Sequence, residues 1–478
     1  MIWHLSPEDS RPLYRQLFHL IETAIQNGAL SPGQRLPSER QLSSLLKVNR
    51  STITHALNEL TDCGVLIRKI GHGTFVNPEK WGQQSRPLMN WHPFHSVLLQ
   101  PKQDHYQLQL TALRNQSHTL KKPLIDLASG DIAVDLLPHQ DFTQISWHQL
   151  LSLEQDNETA RLGLSSFRKA VIHHLQKHYH LNVDPEEILI TSGTQQALFL
   201  ISQTLLKPGD SIGVESPSSF YRLPIFQAAG LRVCALPMDD EGVTLDGFRS
   251  LVEKSRIKMI FLNPIFQNPT GLRMHQERKK TLLKECVRYQ IPLVEDDTSS
   301  LLYFNNDTDI QPIKFYDEQN QVIYLGSLSK YIGNNIRAGW IVAPRNVITR
   351  LADTRQQIDG GLSVLPQLLA EHYLIKQINN HCHFLRKKLL NKANTLEHWL
   401  SKQAPFPIQF RKPEGGLYLY AYFDPYQERD ITHLLDLWLK ENITAAKDEY
   451  FGDKIGKLRL NISQWPDHAI GHIPTKEN

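Results

Sequence analysis

The sequence predicts an α/β protein in two modules: a small helical block with a hairpin, then a large domain on a buried, mostly parallel sheet. Three observations predict it. Residues 12–76 carry three helical repeats of apolar residues followed by two strand-like runs. From about residue 123, short apolar runs (EILIT, SIGV, LRVCAL, IKMIFL, IPLVED, VIYLG) alternate with helical patterns, which argues for βαβ units and a sheet covered on both faces. Between them, residues 77–122 are rich in Pro, Gln and His with weak periodicity and read as a linker, with some helix near 106–116. The predicted boundaries are 1–77, 78–122 and 123–478, with a small C-terminal α+β subdomain over about 347–478.

Each N-terminal element has its own justification. In PLYRQLFHLIETAIQNG, Leu13, Leu17, Ile21, Ala24 and Ile25 fall on one helical face; Pro12 suits a first turn and Gly28 lies just past the end. In RLPSERQLSSLLKV, Ser38 and Gln41 have capping-box spacing, and Leu42, Leu45 and Leu46 form an inward stripe. In NRSTITHALNELTDCG, Ile53, Ala56, Leu57 and Leu60 repeat with helical spacing until Gly64 stops the helix. VLIRKIGHGTFV reads as two short strands around a Gly-His-Gly turn.

Composition narrows the function. The chain has 478 residues and a net charge of only +3, so any basic surface must be local. The four cysteines, Cys63, Cys234, Cys286 and Cys382, are far apart and lack metal spacing. The N-terminus lacks a signal-peptide pattern and no apolar run is long enough to span a bilayer, so a cytoplasmic protein is the expectation.

Two helices joined by a short turn, plus a hairpin, suit a winged helix-turn-helix, whose second helix lies in the major groove of double-stranded DNA. That places Asn49, Arg50, Ser51, Thr52 and Thr54 toward bases and phosphates, with Arg35, Ser38, Arg40, Arg68 and Lys69 beside them. The stretch LPSERQLSSLLKVNRSTITHALNELTDCGVLIRKIGHGTFV resembles the DNA-binding domain of GntR-family transcription regulators, through its Pro-Ser-Glu-Arg turn and its Gly-x-Gly-Thr-Phe-Val wing.

The large domain carries chemistry at its strand ends. ILITSGTQQALFLISQTLL runs strand, small-residue turn, helix, and such a helix start can hold a phosphate. LNPIFQNPTG would present the Asn268 amide into a crevice. IPLVEDD ends a buried strand in carboxylates, costly unless paired, and a protonated pyridine nitrogen would pair one. In GSLSKYIGNNIRAGW, Lys330 is a candidate amine for an aldehyde cofactor and Arg337 a counter-charge for phosphate. Singly, Lys330 is more often a solvated cation and Asp296 a helix cap. Turn, amide, carboxylate, lysine and arginine in this order are what pyridoxal 5′-phosphate (PLP) needs.

The same motifs resemble fold-type-I aminotransferases over about residues 123–470. A GntR-like head, a linker and an aminotransferase-like body together resemble the MocR subfamily of PLP-binding regulators. That resemblance implies an N-terminal winged helix-turn-helix domain joined by a long linker to a PLP-dependent fold-type-I aminotransferase-like domain, and a homodimer reading paired half-sites. It implies that Lys330 forms an aldimine with PLP, that Asp296 pairs with the pyridine nitrogen and that Asn268 meets the ring hydroxyl. Gly193, Thr194, Gln195, Ser327, Ser329 and Arg337 would surround the phosphate, and Arg459 in KLRLNIS would grip a carboxylate. The effector would be an amino compound or PLP itself. Two alternatives stand beside this regulator: a working aminotransferase with an attached DNA-binding head, and a dimerising regulator without cofactor. The sequence departs from the family at three places. Thr298 and Ser299 stand where a tyrosine follows the strand-end aspartate, Ser219 stands where an aromatic ring stacks on the cofactor, and Lys447-Asp448 replaces Pro-Gly.

Overall fold

The computed structural model describes residues 11–26, 29–69, 71–78, 105–117, 123–139, 157–221, 223–306, 308–403, 408–423, 428–453 and 456–467, with isolated residues elsewhere. The chain divides into two compact units, residues 1–101 and 102–478.

In the first unit, helices α1 (Leu13–Gln26), α2 (Glu39–Leu46) and α3 (Arg50–Asp62) precede an antiparallel hairpin of β1 (Leu66–Lys69) and β2 (Gly73–Val76). Leu17, Ile21, Ile25, Leu42, Ile53, Ala56, Leu57, Leu60 and Val76 form its core. The Ser38–Gln41 capping box starts α2, and the Asn49 side chain accepts the Ser51 N–H to start α3. Gly64, at φ +74°, follows α3 and turns the chain into the hairpin. Two positions of the expected apolar stripes face outward instead: Leu45 is 60% exposed and Leu13 44% exposed. An eight-residue helix ended by left-handed Lys47 buries one line only, through Leu42 with Leu46 partly covered, and Leu45 falls beside it. Gly28 and Ile70 lie outside the described residues.

The second unit begins earlier than the sequence suggests. Helix α4 (His105–Asn115) falls inside the expected linker of 78–122, yet it belongs to the body. Tyr106 and Leu110 are buried in the body's core, the Tyr106 hydroxyl donates to the Ala445 carbonyl at 2.8 Å, and Arg114 pairs with Asp126 at 2.7 Å. The Tyr106 partner lies more than three hundred residues away, which local periodicity cannot reveal.

The body centres on an eight-stranded sheet. Its strands are β4 (Ile188–Thr191), β5 (Ser211–Ser216), β6 (Arg232–Asp239), β7 (Gly242–Val243), β8 (Met259–Leu262), β9 (Leu293–Asp297), β10 (Val322–Ser327) and β11 (Gly339–Val342), in the order β4-β11-β10-β9-β8-β5-β6-β7. The run β10-β9-β8-β5-β6 is parallel; β11 and β7 are antiparallel to their neighbours. Both faces are buried, as the near-continuous apolar strands require: Ile188, Ile190, Tyr324 and Trp340 enter one core, and Leu189, Leu325, Ile341 and Val294 another. Since β11 is antiparallel to both β4 and β10, the carboxyl ends of β4, β5, β8, β9 and β10 all open on one edge, where such sheets place ligands.

A second sheet, β12 (Ile408–Phe410), β13 (Tyr418–Phe423), β16 (Lys457–Asn461) and β15 (Ala446–Lys447), lies in the C-terminal part. The two-residue strand β3 (Ile125–Asp126) pairs in parallel with β14 (Ile443–Thr444), so the start of the body joins its C-terminal subdomain.

Candidate functional site

Five strand ends build one cavity of about 210 Å³. Its lining includes Gly193, Thr194, Gln195, Asn268, Asp296, Ser327, Ser329, Lys330 and Arg337, so the structure brings all nine residues expected around a cofactor into one place. Arg459 is joined to it: its Nη1 donates to Asn268 Oδ1 at 3.2 Å.

At the end of β4, Gly193 takes φ +101° and leads into helix α5 (Thr194–Leu205), whose first N–H groups have no intrahelical acceptor. The Arg337 Nε donates to the Ser192 carbonyl at 3.2 Å, which brings its guanidinium to this turn. Ser327, the last residue of β10, accepts the Ser329 N–H at 3.2 Å and shares a hydroxyl contact with Ser329 at 3.1 Å. Thus small residues, hydroxyls and an arginine gather beside one helix N-terminus, a donor set suited to a phosphate.

At the end of β9, alternation of faces separates three carboxylates. Glu295 is fully buried and accepts the Ile313 and Lys314 N–H groups at 2.7 and 2.9 Å. Asp297 accepts the Ser300 hydroxyl and the Tyr324 hydroxyl, both at 2.8 Å. Asp296 points the other way, into the cavity, and its Oδ1 is buried with no hydrogen-bond partner among the described residues. Burial and then the neighbouring Asp297 charge push its pKa from 3.8 up to about 7, partly countered by Lys330. Asn263, at the end of β8, ties this carboxylate to the Asn268 turn: its Nδ2 donates to the Asp296 carbonyl at 2.7 Å and its Oδ1 accepts the Asn268 N–H at 2.8 Å.

Lys330 sits in the one-turn helix Ser329–Ile332 that follows β10. Its Nζ donates to the Gly130 carbonyl at 2.6 Å and lies 3.8 Å from an Asp131 carboxylate oxygen. Gly130 belongs to a short arm, residues 128–131, that Arg459 also holds: its Nη2 donates to the Ala128 and Ser129 carbonyls at 2.5 and 3.0 Å. Arg459 is buried, with its guanidinium 4.6 Å from the Tyr418 ring centre, and its Nε has no partner. Burial lowers its pKa from the ordinary arginine value.

Asp131, Asn263, Phe266, Asn334 and Tyr418 also line or order the cavity and are absent from the sequence expectation. Asn263 could have been found, since it opens the same turn as Asn268; Asp131 lies in a stretch without periodicity. At the departures, Thr298 and Ser299 both line the cavity, and so do Ser219 and Phe220. The Phe220 ring packs edge-on against Phe261, and Tyr221 lies against Gly452. Asp448 is buried and accepts the Gly456 and Lys457 N–H groups at 2.6 and 2.9 Å, closing a local loop.

In the head, Arg35, Ser38, Arg40, Asn49, Arg50, Ser51, Arg68 and Lys69 are exposed and Thr52 and Thr54 half-buried. Ser38 and Asn49 commit their side chains to helix caps. Glu39 gathers Arg50 at 3.3 Å, Arg68 at 3.2 Å and the Thr54 hydroxyl at 3.1 Å, linking α2, α3 and the hairpin.

Comparison with known proteins agrees with both units. Residues 122–470 match the family described as aminotransferase class I and II, and residues 13–76 match bacterial regulatory proteins of the gntR family. The chain belongs to these families, joined as in MocR-type regulators. It is 34% identical over 468 residues to the uncharacterized HTH-type transcriptional regulator YisV of Bacillus subtilis (strain 168), covering 96% of this chain and 94% of that one. It is 29% identical over 456 residues to the HTH-type transcriptional regulator NorG of Staphylococcus aureus (strain USA300), covering 92% and 97%. The multiple substrate aminotransferase of Thermococcus profundus shares the body's fold, with a TM-score of 0.66 at 24% identity, covering 79% of this chain and 95% of that one. Among the described residues no helix is long and apolar enough to cross a membrane.

Proposed function

We propose that this chain is a cytoplasmic, DNA-binding transcription regulator whose body holds PLP on Lys330 and responds to an amino compound or to PLP itself. The observation that carries the reading is the unpartnered, buried Asp296 Oδ1 facing the same cavity as Lys330. A carboxylate left so is costly, and a protonated ring nitrogen would satisfy it. Asp296 would hold the ring nitrogen, Asn268 the ring hydroxyl, and the Gly193–Gln195 turn with Ser327, Ser329 and Arg337 the phosphate. When bound, the cofactor would supply an aldehyde to condense with the Lys330 amine and a ring that draws electrons from an attached amino compound. Arg459, whose Nε is unpartnered among the described residues, would grip the effector's carboxylate. In the head, Arg50, Ser51, Thr52 and Thr54 would enter the major groove, with Arg35, Ser38, Arg40, Asn49, Arg68 and Lys69 on the flanking backbone. A homodimer would present two heads to paired half-sites.

One observation favours a second reading, an active aminotransferase: Arg459 and Lys330 are both in place. Against it stand Thr298 and Ser299, which supply no phenol, and Ser219, which supplies no ring. The test is visible absorbance of the full chain with PLP, beside Lys330→Ala, followed by DNA binding with and without amino acids. The expected result is a yellow band fixed by borohydride in the wild type, absent in Lys330→Ala, and amino acids that shift band and DNA affinity together. Rapid amino transfer to a keto acid would favour the enzyme. No band in either protein would leave a dimerising regulator without cofactor.

A further inference from the structure

The cavity holds an anion that PLP does not require. Asp131 lies at its lining with 55% of the side chain exposed, 3.8 Å from Lys330 Nζ, and its Oδ1 accepts the Asn334 amide. Its backbone is fixed: the Asp131 carbonyl accepts Asn461 Nδ2 at 2.7 Å and Gln464 Nε2 at 3.0 Å, and Asn461 is fully buried on the strand that carries Arg459. The neighbouring Gly130 carbonyl accepts the Tyr418 hydroxyl at 2.9 Å besides the Lys330 ammonium. Without cofactor, Lys330 is therefore the cation of this corner. Condensation of the Lys330 amine with the cofactor's aldehyde, with loss of water, would leave Nζ at most one of its hydrogens. Asp131 then keeps a neutral amide as its donor. Arg459, joined to the cavity-lining Asn268, offers the opposite charge; its Nε is unpartnered among the described residues, and although burial lowers its pKa, the Asp131 charge favours its protonated form.

We propose that the effector is a diamino carboxylic acid: one amino group would replace Lys330 on the cofactor's aldehyde carbon, Lys330 leaving as a neutral amine that returns to the Gly130 carbonyl, while the carboxylate meets Arg459 and the second ammonium meets Asp131. The inference rests on the reading that the body binds PLP. A charge-assisted bond of this kind separates an ammonium from a methyl group of equal size by roughly tenfold or more.

The test uses the full chain loaded with PLP. Calorimetric affinities are measured for 2,3-diaminopropionate, 2,4-diaminobutyrate, ornithine and lysine, each beside the amino acid with a methyl group in place of the second ammonium. The expected result is at least one diamino acid bound about tenfold tighter than its methyl partner, with the ratio falling to near one in Asp131→Asn. Ratios near one for all four pairs in a wild type that shows the cofactor band would overturn the proposal and leave the regulator reading intact. A preference that persists in Asp131→Asn would overturn the assignment to Asp131. A wild type without the band would remove the PLP reading itself, and this proposal with it.

Discussion

Asp296→Asn should stabilise the unloaded chain at high pH and lose most of that advantage when PLP is present. In the unloaded chain burial and Asp297 raise the Asp296 carboxyl from 3.8 to about 7. A carboxyl raised on folding lends stability that is complete below its unfolded value and lost as pH climbs through its folded one, here from about pH 4 to about pH 7. That interval corresponds to roughly 4 kcal/mol. Because the carboxyl faces a cavity open to water, about 2–4 kcal/mol is the working figure. Asparagine removes the charge and keeps the shape. Without PLP the variant should exceed the wild type by only part of that amount at pH 5, where the interval is partly crossed, and by nearly all of it at pH 8. With PLP at pH 8 the gap should close by about 1.5–3 kcal/mol. The wild type gains the pairing with the ring nitrogen, and the variant binds PLP about 10- to 100-fold more weakly, the loss of one charge-assisted bond of roughly 1.5–3 kcal/mol. Urea unfolding followed by tryptophan fluorescence at the two pH values, with and without PLP, reads all four states. Equal stability of the unloaded proteins at pH 8 together with equal PLP affinity would refute the reasoning, because an unpartnered buried carboxylate could then not be what Asp296 is.

Two further perturbations address the head and the strand that delivers the lysine. Arg50→Ala and Arg68→Ala should each weaken operator binding and reduce the slope of log affinity against log salt by about one for each phosphate the arginine neutralises, measured by fluorescence anisotropy across a salt series; an unchanged slope in both would remove these arginines from the DNA face. Gly326→Ala should cost about 1–3 kcal/mol in thermal unfolding, since a Cβ there would lie 2.3 Å from the Trp340 ring on the paired strand; an unchanged midpoint would show that β10 and β11 can part without loss.

What the sequence displayed was whatever is fixed locally. Short apolar runs ending in Asp296, Ser327 or a Gly193 turn mark strands whose ends must face something polar, because nothing else tolerates those residues after a buried strand. The Ser38–Gln41 capping box is readable because it too is set by local spacing, whereas the cap at Asn49 came only with the structure. What stayed hidden depends on distance along the chain. The strand of Ile125 and Asp126 is two residues long and finds its partner at Ile443 and Thr444. Tyr106 looks like linker until its hydroxyl meets Ala445. Asp131 carries no periodicity, and its place beside Lys330 comes from Asn461, more than three hundred residues on. Leu45 was hidden differently: three leucines at helical spacing do not say which of two adjacent lines is buried.

The cavity's chemistry argues for a sensor more than for a catalyst. Groups suited to the charged ends of PLP are present: an unpartnered carboxylate at one end and a helix start with hydroxyls and Arg337 at the other. The groups that would tune its reactivity, a phenol by the ring hydroxyl and a ring stacked at the Ser219 turn, are replaced by Thr298, Ser299 and a serine. Holding a cofactor needs the first set; fast proton handling gains most from the second. A sensor has a different requirement, that occupied and empty pockets differ in free energy at some movable element. The arm 128–131 is where a bound ligand would be felt, because Lys330, Arg459, Tyr418 and Asn461 all donate to its carbonyls. Any ligand that redirects Lys330 or Arg459 necessarily changes the bonds holding that arm. Any element that those bonds bias would receive the difference in ligand affinity between its two states, without any need for turnover.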